Sequence, residues 1–345
     1  MTKPQDIRDL PLVSVCIANY NGIGMIDDCI ASVLAQDCDF PVEIIVHDDA
    51  STDGSVQHIQ AIYPGIRLVE SAENVGFCIA NNRMAGVAQG EFLLLLNNDA
   101  ELFPDALRTM HQEAEQLNRP AILSLPQYDF DSGKLIDRGC LLDPFFNPVP
   151  NLDPDRHDVA MVIGACLWIP KALWQELGGF PEWFGSIAED MYLCCRARLL
   201  GHPVRVLGIS GYRHRSGASF GGGKVTADKR LVTTQRRRAL SERNKSFVMA
   251  LTYPAPLFQC LFPLHLILLL AEGSMLALFK RKWGLFSNIY LTTLNALWQE
   301  RRRLHLLRSE LQVQRRMGRW RFFSVFSWIP HKLCLLLMHG VPHIR

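Results

Sequence analysis

Short apolar runs that end abruptly in polar residues recur through the first hundred positions, separated by stretches of helical periodicity. Residues 12–18 predict a first strand. Residues 23–36 predict a helix, with Ile26, Ile30, Val33 and Leu34 on its apolar side. A second strand is expected over 42–46, then a turn and cap at 51–54 and a helix to Tyr63. A third strand over 66–69 and a helix over 78–88 follow. The fourth strand, 91–96, contains leucine at 93 to 96, a run that suits a strand buried on both faces. Pro104 opens a helix to Leu117, at the position where a missing N–H costs least. This alternation predicts an α/β fold with a largely parallel sheet covered by helices.

The residues that end these strands carry the candidate chemistry. They are Asn19-Tyr20-Asn21, Asp48-Asp49, Glu73-Asn74 and Asn97-Asn98-Asp99. One such cluster is what a turn prefers. Four clusters leaving a parallel sheet at the same edge predict a shared cleft, because ligands of open α/β sheets bind at the carboxyl ends of strands.

Beyond residue 120 the pattern loosens. Residues 121–125 and 159–169 predict strands, while 131–133 and the Pro/Asn-rich 143–154 predict turns or a mobile loop. Helices are expected over 170–177, ending at Gly178-Gly179, and over 189–200, ending at Gly201. Glu189 and Asp190 open the second of these. Carboxylates in a first turn are held ionised by the helix dipole, and one that faces a cleft can take a proton from a hydroxyl. Asp99 suits a hard divalent cation, which prefers carboxylate and amide oxygens and shares phosphate ligands. No glycine-rich phosphate cradle follows any strand, and Gly221-Gly222-Gly223-Lys224 reads as a flexible loop. A phosphate ligand is therefore expected to be gripped through a metal.

Charge divides the chain. Residues 1–223 hold 15 Lys/Arg against 29 Asp/Glu, net −14, and residues 224–345 hold 21 against 5, net +16. An acidic module joined to a basic one suggests a second half that meets an anionic surface. Domains are accordingly expected at 1–223 and 224–345. The basic clusters alternate with apolar stretches at 257–279, 283–298 and 320–338, which favours lipid over nucleic acid. Pro263, His265 and Glu272 interrupt the first stretch, and basic clusters flank it on both sides, so interfacial helices are expected rather than a span. A soluble helical bundle and a re-entrant hairpin are the alternatives. The ten cysteines have neither zinc nor disulfide spacing, and the polar start 1–9 does not resemble a secretory signal.

Taken in order, Val13-Ser14-Val15 with Asn19-Tyr20-Asn21, residues 43–55, Asn74-Val75-Gly76-Phe77 with Asn81-Asn82, Asn97-Asn98-Asp99, Gly178-Gly179-Phe180 and Glu189-Asp190 carry a resemblance. Over about residues 12–210 the chain is similar to the family-2 inverting glycosyltransferases, whose Rossmann-like nucleotide-sugar-binding fold is called GT-A. The resemblance implies a catalytic domain followed by a helical membrane-associating region. It implies a nucleoside-diphosphate sugar donor, with Asp48 bonding the base and Asn19 and Asp49 lining its pocket. Asn74, Asn82 and Asn98 join the same donor-binding set. Asp99 would ligate Mg²⁺ or Mn²⁺ on the diphosphate, and His214, in Arg213-His214-Arg215, is a second candidate ligand. Asp190 matches the base that deprotonates the acceptor hydroxyl, with Glu189 its companion. The chain departs from the family pattern at Tyr192, where a third acid is common, at Pro181, and at Asn97, which replaces the first carboxylate of a DxD motif. Weaker or more ligand-dependent metal binding is the expected consequence.

The basic tail resembles those of bacterial enzymes that extend lipid-linked glycans, rhamnosyltransferases among them. This implies surface polysaccharide synthesis, a glycan or lipid-linked acceptor, and a peripheral or interfacial place on the cytoplasmic face of the inner membrane, with no nucleic acid partner. A sugar nucleotidyltransferase, which would want a glycine-rich loop after the first strand, and a non-catalytic membrane scaffold are the competing readings. Trp168, Trp174 and Trp183 are expected either in the core or stacked on a sugar.

Overall fold

A computed structural model describes residues 10–215, 217, 222–225 and 231–345. The polar start 1–9 lies outside them. The chain folds as two compact units, one from Met1–Gly139, Asn151–Ser186 and His202–Arg215, the other from Cys140–Pro150, Ile187–Gly201 and Ser216–Arg345. This division differs from the expected boundary after residue 223. Two segments from the middle of the chain, 140–150 and 187–201, belong with the C-terminal unit.

In the first unit the elements run β1 (Val13–Asn19), α1 (Ile26–Leu34), β2 (Val42–Asp48), α2 (Ser55–Ile62), β3 (Arg67–Glu70), α3 (Phe77–Val87), β4 (Phe92–Asn97), β5 (Ala100–Leu102), α4 (Ala106–Leu117), β6 (Ile122–Ser124), β7 (Gln127–Asp129) and β8 (Leu135–Asp137). After β9 (Cys140–Leu142) and β10 (Pro148–Pro150), which pair with each other in the second unit, it resumes with β11 (Cys166–Pro170) and α5 (Lys171–Leu177). Helix α6 (Glu189–Leu199) belongs to the second unit, and β12 (Val204–Val206) and β13 (Tyr212–His214) complete the first.

The main sheet has the order β12-β6-β11-β4-β1-β2-β3. Strands β1 to β4 are parallel, whereas β11 runs antiparallel to β4 and β6, so the sheet is mixed. Leu93, Leu94, Leu95 and Leu96 are all buried, as the unbroken apolar run predicts for a strand covered on both faces. Trp168 on β11 stacks on Phe92 at 5.0 Å and Trp174 packs edge-on to Phe180 at 4.9 Å. Both tryptophans are core, while Trp183 is half-buried against Phe184. The strand expected over 159–169 is shorter: β11 begins at Cys166, and residues 159–165 form no continuous strand. There Val159 bonds Val204, and Gly164 passes close to the Phe77 ring. A second sheet, β5-β13-β7-β8, joins residues from three distant parts of the chain.

In the second unit the loop expected over 143–154 is ordered at its start. Asp143 accepts hydrogen bonds from the backbone of Phe145 and Asn147, and from His331. The glycine-rich stretch expected to be a flexible loop contributes β14 (Gly222–Val225), antiparallel to β15 (Leu231–Thr233); Gly221 is outside the described residues. Helices α7 (Gln235–Thr252), α8 (Leu257–Lys280), α9 (Trp283–Leu285), α10 (Thr292–Gln299), α11 (Arg301–Gln314), α12 (Arg319–Phe323) and α13 (His331–His339) follow, with a π turn over Phe286–Leu291. Among the described residues α8 is the one helix long and apolar enough to cross a membrane. Its Glu272 is paired with Arg238 of α7 and Lys332 of α13. Glu242 of α7 takes Lys245 at 2.7 Å and Lys332 at 2.5 Å. These pairs satisfy charges that would otherwise be costly to bury.

Candidate functional site

The parallel register of the first unit brings the strand-end clusters together. Asn19 lies opposite Asp48, and Ala18 opposite Asn97. Asn19 donates through Nδ2 to Asp48 at 2.8 Å and Ser55 at 3.1 Å, while its Oδ1 accepts Nδ2 of Asn98 at 2.8 Å. Asp48 also accepts the Ser51 N–H and hydroxyl, at 2.8 and 2.7 Å. Three of the roughly four lone-pair positions of this carboxylate are thus used inside the fold. The loops after β1 and β2 are tied further by Asn21 to Ser51 and Thr52, and by Ile23 to Asp53.

Asp49 accepts the N–H groups of Val75 and Gly76 at 2.6 and 2.9 Å, and Asn74 Nδ2 reaches the Asp49 carbonyl at 3.4 Å. Asn82 stands apart from this set. It exchanges hydrogen bonds with both backbone groups of Phe180, anchoring the Gly-Gly-Phe turn to α3. Of the expected donor-binding residues, Asn19, Asp48 and Asn98 therefore form one network, Asp49 and Asn74 the adjoining loop, and Asn82 a tie elsewhere.

Gly22 was not singled out by sequence. A Cβ there would stand 2.2 Å from both Asn19 Oδ1 and Asn98 Nδ2, in the middle of their hydrogen bond. Gly22→Ala is expected to break that bond, destabilising the protein by about 1–3 kcal/mol. Thermal melts measure the effect, and an unchanged melting temperature would refute the expectation.

Asp99 follows β4, and the antiparallel pairing of β5 with β13 sets Ala100 opposite His214. Nε2 of His214 comes within 3.1 Å of Asp99 Oδ1, and both residues are buried. Among the described residues no hydrogen bond reaches that oxygen, so the contact is close without a directed N–H. Asn97 Nδ2 lies 3.4 Å from the same ring nitrogen, whose donor or acceptor role follows the tautomer. A carboxylate oxygen and an imidazole nitrogen this close suit a shared cation once the ring nitrogen is unprotonated, and Mn²⁺ accepts such a mixed set more readily than Mg²⁺, which prefers oxygen. The described residues contain no cluster of three or more metal-binding side chains, so further ligands would come from the bound molecule or water. The flanking arginines are engaged within the first unit. Arg213 pairs with Glu101, and Arg215 pairs with Asp28 at 2.6 Å and lies over the Phe130 ring at 3.4 Å.

Asp137, on β8 of the same small sheet, also escaped notice in the sequence. Burial pushes its carboxyl up to about 6, opposed by the Gly139 N–H and by His214. A folded value above the ordinary 3.8 means that stability falls as pH rises between those two values. Asp137→Asn is not subject to that loss. It should be more stable than the parent at pH 7.5, by up to about 3 kcal/mol, and lose this advantage near pH 4. Chemical denaturation at the two pH values measures the difference, and equal gains at both would refute it.

In the second unit Glu189 and Asp190 open α6 after an unusual elbow. Ile187 and Ala188 both take left-handed backbone angles, φ 72° and 67°. Each costs about 1–3 kcal/mol for a residue with a side chain. Asn244 of α7 donates to the Ile187 carbonyl at 2.7 Å, and Asp190 Oδ1 accepts the Met191 N–H at 2.7 Å. The expectation that both carboxylates stay ionised changes for Glu189. Burial first, and the Asp190 charge second, push its carboxyl well above the usual range, with Arg237 of α7 opposing. Burial lowers Arg237 while Asp190 and Glu189 raise it, so this cation and the two carboxylates share one neighbourhood. Tyr192, where a third acid is common, is buried, and its hydroxyl is pushed up mainly by burial.

The family described as glycosyl transferase family 2 matches residues 14–177. A curated relative, the N-acetylglucosaminyl-diphospho-decaprenol L-rhamnosyltransferase of Mycobacterium tuberculosis (strain ATCC 25618 / H37Rv), is 27% identical over 183 residues, covering 44% of this chain and 60% of the relative. The succinoglycan biosynthesis protein ExoO of Rhizobium meliloti (strain 1021) is 35% identical over 113 residues, covering 32% of each chain. This chain spans between 32% and 60% of the first curated relatives it matches. Among solved structures, GalNAc-T7, crystallised with UDP, GalNAc and Mn²⁺, superposes with a TM-score of 0.57 at 14% identity, covering 73% of this chain and 49% of that one. S. aureus TarS 1–349 superposes with a TM-score of 0.51 at 16% identity, covering 88% of each. At such identities the structures share a fold.

Proposed function

We propose that this chain, whose residues 14–177 match the family described as glycosyl transferase family 2, moves a sugar, with inversion, from a nucleoside-diphosphate sugar to a hydroxyl of a lipid-linked glycan in bacterial surface polysaccharide synthesis. The observation that carries this reading is the buried Asp99 oxygen with no hydrogen-bond donor among the described residues, 3.1 Å from His214 Nε2, at the edge where the Asn19–Asp48–Asn98 network gathers. The names of the mycobacterial and rhizobial relatives support the acceptor class and the pathway type.

Asp99 and His214 would hold Mg²⁺ or Mn²⁺, as the UDP- and Mn²⁺-containing GalNAc-T7 structure suggests for this fold. When bound, that cation offsets charge on the departing diphosphate. Asn19, Asp48, Asp49, Asn74 and Asn98 position the nucleotide end of the donor, mostly through the loops they brace. Asn82 contributes by fixing the turn at Phe180. Asp190 takes the proton from the acceptor hydroxyl, whose oxygen bonds to the anomeric carbon as the bond to the diphosphate breaks. Glu189, favoured in its neutral form by burial, keeps a second negative charge out of that neighbourhood.

A thermal-shift panel of nucleoside-diphosphate sugars with Mn²⁺ or Mg²⁺ tests the reading. Stabilisation by one nucleotide class, dependent on the cation, is expected. No shift with any donor would overturn it.

The second unit supplies the membrane contact. Ile267, Leu278 and Phe279 of α8, Leu337 of α13, and Trp298 and Trp320 are largely exposed, in a region of strong positive charge. We read these as an interfacial surface on the anionic cytoplasmic leaflet. The full chain should float with anionic vesicles and release in high salt. Equal binding to zwitterionic vesicles that resists salt would instead favour insertion of α8.

A further inference from the structure

We infer that Asn244 is a positioning residue for the proposed proton transfer, holding the left-handed elbow at Ile187-Ala188 that aims the first turn of α6. The inference rests on the reading of Asp190 as base, and its test separates the two.

The elbow is built from unsuitable residues. Left-handed backbone suits glycine, and the chain uses it for that purpose at Gly178, Gly179 and Gly185. Ile187 and Ala188 adopt the same region with side chains attached, and a β-branched residue is the least suited of all. Such a conformation persists only where surrounding structure imposes it. Ala188 is the residue preceding α6 and offers no side-chain cap.

What imposes it is on α7. Asn244 is completely buried, and its Nδ2 donates to the Ile187 carbonyl at 2.7 Å. Its Oδ1 accepts Nε of Arg243 at 2.9 Å, which orients the amide with its donor toward Ile187. The Ile187 carbonyl belongs to the peptide plane joining Ile187 to Ala188. Fixing that plane constrains ψ of the first residue and φ of the second together, because the peptide is rigid. Two residues on, Asp190 is held by its bond to the Met191 N–H. The direction of this carboxylate therefore depends on a hydrogen bond from another helix. Asn244 itself is completely buried, so its part is to position rather than to react.

In the full-length protein, Asn244→Ala should lower kcat by roughly ten- to hundred-fold, the cost of a misplaced catalytic group. Donor KM should stay within about twofold, since the donor-binding residues lie in the other unit. Asn244→Asp keeps the size and the acceptor for Arg243 but cannot donate to Ile187, and should lose as much; it also serves if the alanine variant does not fold. Adding Ile187→Gly and Ala188→Gly to Asn244→Ala should restore most of the lost turnover, because glycine adopts the elbow unaided. A residue needed only for general stability would not be rescued this way. Wild-type kcat in both Asn244 variants, or a folded triple variant (Asn244→Ala with Ile187→Gly and Ala188→Gly) without recovery, would overturn the inference.

Asp190→Asn, assayed in parallel, tests the base. If that variant keeps full turnover, the base assignment fails. Asn244 is then judged by hydrogen exchange of the Met191 amide, which should quicken in Asn244→Ala. An unchanged exchange rate would overturn the positioning role whatever Asp190 does.

Discussion

Asp190→Asn is expected to reduce turnover by roughly a hundred- to ten-thousand-fold, the range over which a positioned general base acts. Nucleotide affinity should be unchanged. The amide has the size of the carboxylate and can still accept the Met191 N–H, now 2.7 Å from Oδ1, so the helix start is preserved. It cannot accept the proton of a hydroxyl. Glu189 is a poor substitute, because burial and the neighbouring charge favour its neutral form and a protonated carboxyl is no base. Removing the Asp190 charge eases that pressure on Glu189, so a small residual rate that rises with pH is expected. Single-turnover rates alongside a nucleotide titration measure the two quantities separately. A rate within a few-fold of the parent would remove Asp190 from the mechanism.

Asp99→Ala is the second large effect. It should weaken cation-dependent nucleotide binding by at least about a hundred-fold, since even outer-sphere partners of metals contribute ten- to hundred-fold. The oxygen is buried beside His214 and receives no hydrogen bond among the described residues, so its replacement should cost little in folding. Asp99→Asn, which retains the shape and discards the charge, should behave similarly toward the cation. Calorimetric titration of nucleotide with and without Mn²⁺ reads the difference. Equal affinity under the two conditions in the parent protein would refute the cation's role, and unchanged cation dependence in Asp99→Ala would remove this residue from it.

Much of the first unit was legible because its signals are local. The leucines at 93–96 announce a strand covered on both faces, and Gly178 ends its helix in a left-handed cap at the expected place, as Gly201 does in the second unit. The tryptophans at 168 and 174 resolve as core because they sit on elements whose faces are covered. The strand at 159–169 was over-extended because an apolar run satisfies the strand pattern whether or not a partner strand is available. In the second unit the ion pairs of Glu272 could not be read from its own helix. Their partners, Arg238 and Lys332, come from two other helices.

The same distinction holds at the candidate site. That Asn19, Asp48 and Asn97 end successive parallel strands follows from alternating periodicity and from the rule that such strands share one edge. Side-chain bonding partners do not follow, because they depend on register. Asp48 is occupied by Asn19 and Ser51, Asn82 is committed to Phe180, and Gly22 must lack a side chain to let Asn19 and Asn98 meet. His214 reaches Asp99 through pairing between two three-residue strands, too short to leave a periodic trace. The elbow before Asp190 is likewise invisible in residues that ordinarily avoid it, for it is imposed from a helix more than fifty positions later. Local pattern decides where chain elements begin and end; which polar groups remain available for chemistry is settled only when distant strands and helices have taken their share of the hydrogen bonds.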